Sequence, residues 1–281
     1  MPFFHHDDGD IFYTVHTTDD KPLSESDNTK PPILLIHGWT CDSHDWLFQI
    51  HRLTTLGFNL IVPDLRGHGR SSAPQSTYSA AELVSDLVAL LHHLRAPPAI
   101  IFGHSLGGLL TSQLAVKHPS LARAVVLVDP VYGPVETAPR SAFDALVNSP
   151  AAPDLAAAYF KARMYTSASP PGLGVWHRRR VLGTPVHVVQ RAFAQTHSPE
   201  PGNWALRDRA AAFLKDRKCP RLVVYACFMG KDGAEFEEGL GVDDSRDRVV
   251  LMDEIGHWPH QDVPDKFNGV VEGWLDLNGF L

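Results

Sequence analysis

Residues 100–108, with the sequence IIFGHSLGG, constrain the fold more than any other part of the chain. Gly103 and Gly107 flank Ser105 at two residues on either side, after an apolar run. A Cβ at either flanking position would crowd a very tight turn, in which Ser105 takes a strained backbone conformation. The segment therefore predicts a buried strand, a sharp turn that presents the Ser105 hydroxyl, and a helix whose free N–H groups face it.

Short apolar runs elsewhere in the chain predict further strands that are buried on both faces of a parallel sheet. Helical patterns lie between these runs. One of them begins at Ser79, with Glu82 three residues later, which is the signature of a capping box. Alternating strands and helices predict an α/β fold with a doubly wound sheet and right-handed crossovers. The predicted strands are residues 11–17, 33–36, 60–62, 99–102, 124–128, 222–226 and 249–252.

The chain length of 281 residues suits one large α/β domain that carries an insertion. Residues 131–203 interrupt the alternation, because they contain no strong strand, many Ala and Pro, and several helical fragments. Their place between two predicted sheet strands puts them above the strand ends. We therefore predict a core of residues 1–130 and 204–281, with residues 131–203 as an inserted helical lid.

The charge pattern argues against nucleic acid as a partner. The net charge is −7, and Lys and Arg form no block beyond the run at residues 178–180, which we interpret as a solvated helix face. The N-terminal residues have no secretory pattern, and no apolar run approaches the roughly 20 residues of a membrane span. Three cysteines without C-x-x-C spacing indicate reduced thiols. A soluble cytoplasmic protein without a membrane partner is the expectation.

A serine hydroxyl becomes a nucleophile when a base accepts its proton and an acid orients that base. The predicted base is His257, which follows the last apolar run on a loop that contains Gly256. The prediction rests on the position of His257 after the final strand, because a chain with 16 histidines will have some of them on loops by chance. A loop after the final strand can lean across the sheet edge where Ser105 lies.

Two acids are candidates for orienting this histidine. Asp129 ends the apolar run at residues 124–128, so parallel pairing puts it on the same sheet edge as Ser105. Asp232 lies six residues beyond Ala226, in an acidic stretch, and would need a longer reach. We favour Asp129, and either choice keeps the chain order serine, acid, histidine.

Acyl transfer also needs hydrogen-bond donors for the developing oxyanion. The backbone N–H of Leu106, directly after the serine, is one predicted donor. The N–H of Trp39, on the loop after the strand at residues 33–36, is the other. Among the aromatic residues of the lid, Tyr132 and Trp176 are predicted to contact an apolar or aromatic substrate. No spacing typical of metal ligands and no dinucleotide-binding fingerprint occurs in the sequence.

The chain resembles the α/β-hydrolase family in four motifs that occur in the family's order. They are HGW at residues 37–39, DLRGHGRS at 64–71, GHSLGG at 103–108 and GH at 256–257. The resemblance implies an eight-stranded, mostly parallel sheet and no cofactor for ester hydrolysis. It also implies that the acid of the catalytic triad can come directly after the strand at residues 124–128, where Asp129 lies, because some family members carry it there. A serine at position 105 is unlike the family's epoxide hydrolases and haloalkane dehalogenases, whose nucleophile is a carboxylate.

These features predict a serine hydrolase that cleaves a small carboxylic ester or lactone through Ser105, His257 and Asp129. A hydrolase of C–C bonds would need the same residues. A cofactor-independent dioxygenase that uses a His–Asp dyad, and a receptor for a small lactone-like molecule, are alternatives on the same fold.

Overall fold

The apolar runs of the sequence form the strands of one sheet. The computed structural model describes residues 3–6, 8–19, 21–26, 28–132, 140–197, 204–205, 207–240 and 245–281. Over these residues the sheet has eight strands: β1 (Phe3–His6), β2 (Gly9–His16), β3 (Ile33–Ile36), β4 (Leu60–Pro63), β5 (Ala99–His104), β6 (Ala122–Val128), β7 (Arg221–Tyr225) and β8 (Arg248–Leu251).

The strand order is β1-β2-β4-β3-β5-β6-β7-β8. The β1/β2 and β2/β4 pairs are antiparallel, and every pair from β4 to β8 is parallel. This confirms the predicted eight-stranded, mostly parallel sheet. The carboxyl ends of β3, β5, β6 and β8 consequently lie along one edge, where the predicted site residues follow them. Strand β1 was not among the predicted runs, because FFHH is short and half polar.

Helices connect the strands and cover the sheet. Ser79 caps one of them as predicted, since its Oγ accepts a hydrogen bond from the Glu82 N–H at 3.2 Å. No helix in the described ranges has the length and apolar character needed to cross a membrane. The helices are α1 (Leu47–Thr55), α2 (Ala80–His93), α3 (Leu106–Lys117), α4 (Arg140–Asn148), α5 (Ala152–Arg163), α6 (Pro171–Gly183), α7 (Val186–His197), α8 (Arg207–Leu214), α9 (Gly230–Glu238), α10 (Pro259–Asp262) and α11 (Pro264–Leu277).

Strands β3 to β7 are buried on both faces apart from Arg123, which explains their unbroken apolar runs. In β3, Ile33 and Leu35 face a cluster that includes residues of α1 and α11, whereas Leu34 and Ile36 face a cluster built on α2 and α3. The second cluster continues into α5 and α7. The inserted helices therefore share a hydrophobic core with the rest of the molecule.

Helices α4 to α7 occupy residues 140–197, between β6 and β7. They fall within the predicted lid, residues 131–203, of which residues 133–139 and 198–203 lie outside the described ranges. We call residues 140–197 the inserted helices. That they act as a lid stays a prediction.

The arginine run at residues 178–180 is solvated only in part, contrary to the prediction. Arg178 and Arg179 are exposed, but the Arg180 side chain is only 7% exposed. Its guanidinium contacts the carboxylates of Asp42 and Asp45, which lie before and within a 3-10 turn after β3. Arg180 is buried because these two acids neutralise its charge.

Candidate active site

Ser105 lies at the turn between β5 and α3, with φ 53° and ψ −115°. This backbone conformation is strained for a residue with a side chain. The Ser105 N–H donates to the Val128 carbonyl at 2.9 Å, and its carbonyl accepts from the Gly108 N–H at 2.9 Å. Both backbone groups are thus held by neighbouring elements, and the side chain remains partly exposed.

The two flanking glycines are required by close packing. A Cβ on Gly103 would overlap the carbonyl oxygen of Gly107 and the hydroxyl of Thr111. A Cβ on Gly107 would overlap the carbonyl oxygens of Ile36 and His37 at the end of β3. The helix that follows Ser105 can therefore start directly against the sheet only with glycine at these positions.

His257 and Asp129 are hydrogen-bonded side chain to side chain. The distance from His257 Nδ1 to Asp129 Oδ2 is 2.6 Å, and the two side chains are 2% and 0% exposed. The other carboxylate oxygen of Asp129 accepts from the Ala226 N–H at 3.1 Å. Because an ionised carboxylate only accepts hydrogen bonds, His257 donates from Nδ1, and Nε2 is the nitrogen left to take up a proton.

The second candidate acid has a different place. Asp232 lies in the first turn of α9 and is exposed. Strand β7 ends at Tyr225, and the next backbone amide after it, that of Ala226, already binds Asp129. The geometry therefore favours Asp129 as the partner of His257.

Strained backbone concentrates around these residues. Among the described residues other than glycine, five have positive φ, and four of them lie in the loops at this sheet edge: Thr40 (58°), Ser105 (53°), Asp129 (43°) and Glu254 (63°). Such conformations persist where surrounding contacts impose them, and they are concentrated at functional sites. The pattern marks this edge independently of the sequence motifs.

The loop after β3 approaches the serine turn. A Cβ on Gly38 would lie 3.3 Å from the Ser105 Cβ and 3.0 Å from His104 Nδ1. His37 holds the loop, because its Nε2 accepts from the Leu65 N–H at 2.9 Å and its Nδ1 donates to the Gly38 carbonyl at 2.8 Å. The Trp39 backbone therefore lies at the same edge of the sheet as the amino end of α3. That helix begins at Leu106, whose N–H is one of the first four without an intrahelical acceptor.

A cavity opens at Ser105. It encloses about 420 Å³, counted with its mouth, and the side chains around it are mostly apolar. Within its wall, Trp39 contacts the inserted helices, with its ring 4.8 Å from that of Phe193 and its Nε1 donating to the Val189 carbonyl at 3.2 Å. The cavity is lined by Trp39, Ser105, Leu106, Leu109, Val131, Tyr159, Met164, Phe193, Thr196 and Phe228.

The two aromatic residues predicted to bind substrate do not line this cavity. Tyr132 is buried, and its hydroxyl is 2.8 Å from that of Ser112 on α3. The guanidinium carbon of Arg180 lies over the Trp176 ring, 4.7 Å from the ring centroid. Both side chains therefore stabilise the structure around them. That either residue contacts a substrate stays a prediction, and the lining of this cavity does not include them.

Cys41, Asp45 and His104 form a buried group whose potential ligand atoms lie within 4.8 Å of one another. This group does not suit a cation. Arg180 already places a positive charge 3.0 Å from Asp45 Oδ1, and burial raises the pKa of the Cys41 thiol well above its ordinary value. The group is better described as a hydrogen-bonded network behind the candidate active site.

The sequence profile of the alpha/beta hydrolase family matches residues 33–270. A curated relative is bifunctional epoxide hydrolase 2 of Sus scrofa, which is 34% identical over 106 residues, or 37% of this chain and 19% of that protein. The chain thus matches well under half of the length of this relative.

Two solved structures cover almost the whole chain. The enol-lactonase from Burkholderia xenovorans LB400 has a TM-score of 0.79 at 21% identity, over 98% of this chain and 100% of the other. The esterase from Exiguobacterium antarcticum has a TM-score of 0.78 at 19% identity, over 98% of each. At these identities the likeness shows the shared fold.

Proposed function

Because the chain belongs to the alpha/beta hydrolase family, we propose that it is a serine hydrolase that cleaves a carboxylic ester or lactone. The observation that carries this proposal is the 2.6 Å hydrogen bond between His257 and Asp129, at the sheet edge that also carries the strained turn of Ser105. A buried carboxylate that orients an imidazole, next to a serine on a sharp turn, is the arrangement that activates a hydroxyl.

In the proposed reaction, Ser105 Oγ attacks the substrate carbonyl carbon while His257 Nε2 accepts the hydroxyl proton. Asp129 stabilises the imidazolium, and the N–H groups of Leu106 and Trp39 donate to the oxyanion. His257 then returns the proton to the leaving alkoxide, which departs as the alcohol and leaves an acyl-serine. Water, deprotonated by His257, attacks that acyl group. As the second intermediate collapses, His257 returns that proton to Ser105 Oγ, which releases the carboxylic acid and restores the Ser105 hydroxyl.

The cavity supports an apolar or aromatic substrate. Its wall consists mainly of aromatic and aliphatic side chains, among them Tyr159, Phe193 and Phe228. Such a wall binds an acyl or alcohol group by burying apolar surface and gives little affinity for a charged group.

The first test is Ser105→Ala, assayed with 4-nitrophenyl esters and with aliphatic and aromatic lactones. We expect ester and lactone turnover to fall by at least about 10³-fold with the folded state intact, as judged by circular dichroism. Turnover at the wild-type rate would contradict the proposal. Oxygen consumption that requires His257 but survives Ser105→Ala would instead indicate a dioxygenase.

A further inference from the structure

The backbone of His257 is held on both sides. Its N–H donates to the Met164 carbonyl at 2.9 Å, and Met164 caps the carboxyl end of α5. On the other side, His104 Nε2 lies 2.9 Å from the His257 carbonyl oxygen. The Asp129 contact fixes the ring of His257, whereas these two contacts fix the backbone that carries it.

The His104 contact continues to Arg180 through a buried carboxylate. His104 Nδ1 lies 3.0 Å from Asp45 Oδ2, and the NH2 nitrogen of Arg180 lies 3.0 Å from Asp45 Oδ1. Asp45 and His104 are 0% and 1% exposed. A continuous chain of polar contacts thus runs from α6, in the inserted helices, to the carbonyl of His257, and its contacts with the Asp45 carboxylate are charge-assisted.

The negative charge of Asp45 is central to this chain. Burial by itself would raise the pKa of Asp45, but Arg180 and hydrogen bonds from His104 and His260 hold it well below its usual value. Asp45 and the His257 carbonyl both only accept hydrogen bonds, so His104 serves both when both ring nitrogens carry protons. Burial lowers the pKa of His104, although the Asp45 carboxylate favours that state. Arg180 stabilises the Asp45 carboxylate, which in turn binds His104.

A second contact ties Asp45 to the same loop. Gln261 Nε2 donates to Asp45 Oδ1 at 2.7 Å and to the Asp45 carbonyl at 3.0 Å. Its Oε1 accepts from His177 Nε2 at 2.9 Å, and His177 lies on α6, one turn before Arg180. Two contacts therefore connect this loop to α6. One runs from the His257 carbonyl through His104 and Asp45, and the other runs from Gln261 in α10 to His177.

Residues between α5 and α6 add further contacts to this loop. The Thr166 hydroxyl donates to the Glu254 carbonyl at 2.8 Å, and the Ser169 hydroxyl donates to Asp262 Oδ2 at 2.7 Å. Asp262 Oδ2 also accepts from the Gly256 N–H at 2.9 Å. The residues on either side of His257 thus depend on the inserted helices for their place.

We propose that Arg180 is a positioning residue, which acts through Asp45 and His104 to hold the His257 backbone beside Ser105. The inference rests on the proposed function in that His257 is taken as the base. It assigns to the inserted helices a part in building the active centre, in addition to walling the cavity. Neither Arg180 nor Asp45 lines the cavity, so their effect falls on the chemical step and not on substrate binding.

The test compares Arg180→Met with Arg221→Met. Arg221 is an equally buried arginine in an ion-paired cluster, but it lies at the opposite end of β7 from the site. We expect Arg180→Met to lower kcat for 4-nitrophenyl butyrate by about tenfold or more, with KM within about twofold of wild type. Arg180→Lys, which keeps a cation for Asp45, should recover most of the loss. Arg221→Met should keep the wild-type kcat per folded molecule.

Hydrogen exchange of residues 254–262 supplies a readout that needs no activity. Faster exchange of the His257 amide in Arg180→Met, but not in Arg221→Met, supports the proposal. Equal kcat and equal exchange in the two variants would overturn it. If the wild-type protein hydrolyses no ester, the proposed function fails, and exchange alone decides the positioning role. If Arg180→Met does not fold, Asp45→Asn takes its place, because it removes the charge and keeps the shape.

Discussion

At the scale of single residues, the proposed chemistry depends on which acid orients His257. Asp129 is fully buried, follows β6 with a positive φ, and binds both His257 and the Ala226 amide. A carboxylate held in this way keeps the imidazole in the tautomer whose Nε2 can accept a proton. Asp232 is exposed in the first turn of α9.

The two acids can be separated by matched amide substitutions. We expect Asp129→Asn to lower kcat on the order of 10³–10⁴-fold, because the amide does not stabilise the imidazolium and can hold the wrong tautomer. Asp232→Asn should stay within about twofold of wild type, as an exposed substitution does. Steady-state kinetics on a 4-nitrophenyl ester measures both. The reverse order would assign the acid role to Asp232.

Of the site residues, those that follow strands were predictable. Ser105, Asp129 and His257 follow β5, β6 and β8 in the chain order that the motifs indicate. The contacts of Arg180 were not predicted, because three arginines in a row do not show which one faces inward. A signal existed nonetheless. Leu173, His177, Arg180 and Val181 share one face of α6 at helical spacing, and all four side chains are buried.

At the scale of elements, the turn from β5 into α3 is the most demanding. It combines the positive φ of Ser105 with two glycines that meet backbone atoms of neighbouring elements. Gly107 sits against the carbonyl ends of β3, so α3 can approach the sheet only without a side chain there. This close approach places the Leu106 N–H beside Ser105.

Two glycine substitutions test that packing. Gly107→Ala should lower the free energy of unfolding by at least about 2–3 kcal/mol, because the new Cβ meets the backbone oxygens of Ile36 and His37. Gly174→Ala is the control. Gly174 lies in α6, and a Cβ added there would meet nothing within 4 Å, so the change should stabilise by about 0.5–1 kcal/mol. Urea unfolding measures both, and equal effects would contradict the packing argument.

The elements themselves were largely predictable where their patterns are strong. Buried parallel strands give unbroken apolar runs, and α2 carries a clear cap and an apolar stripe at helical spacing. The aromatic wall of the cavity was harder to predict. Phe193 and Phe228 come from α7 and from the loop after β7, which are far apart in sequence, and only the fold brings them to Ser105.

At the scale of the whole molecule, several buried histidines link stability to pH. His68 and His177 are each 1% exposed and His260 is 0% exposed. Burial is the main cause that lowers their pKa, to about 3 for His68, about 3 for His177 and about 4 for His260. The folded protein keeps these rings neutral, whereas the unfolded chain protonates them below about pH 6.5.

We therefore expect the free energy of unfolding to fall as the pH drops from about 6.5 towards about 4. The unfolded chain binds more protons in this range, and each histidine contributes a slope of about 1.4 kcal/mol per pH unit at most. Urea unfolding at several pH values measures the slope. His68→Asn should reduce it, whereas His51→Asn, at an exposed position on α1, should leave it unchanged. An unchanged slope in His68→Asn would contradict the assignment.

The proposed function depends above all on Ser105 being an activated nucleophile. Labelling of the folded wild-type protein with a fluorophosphonate, followed by mass spectrometry of its peptides, measures this property. We expect a single adduct on Ser105, which disappears in Ser105→Ala and forms far more slowly in Asp129→Asn. Folded protein that acquires no adduct on Ser105, at a reagent concentration that labels a serine esterase run alongside it, would show that Ser105 is not activated and would contradict the proposed function.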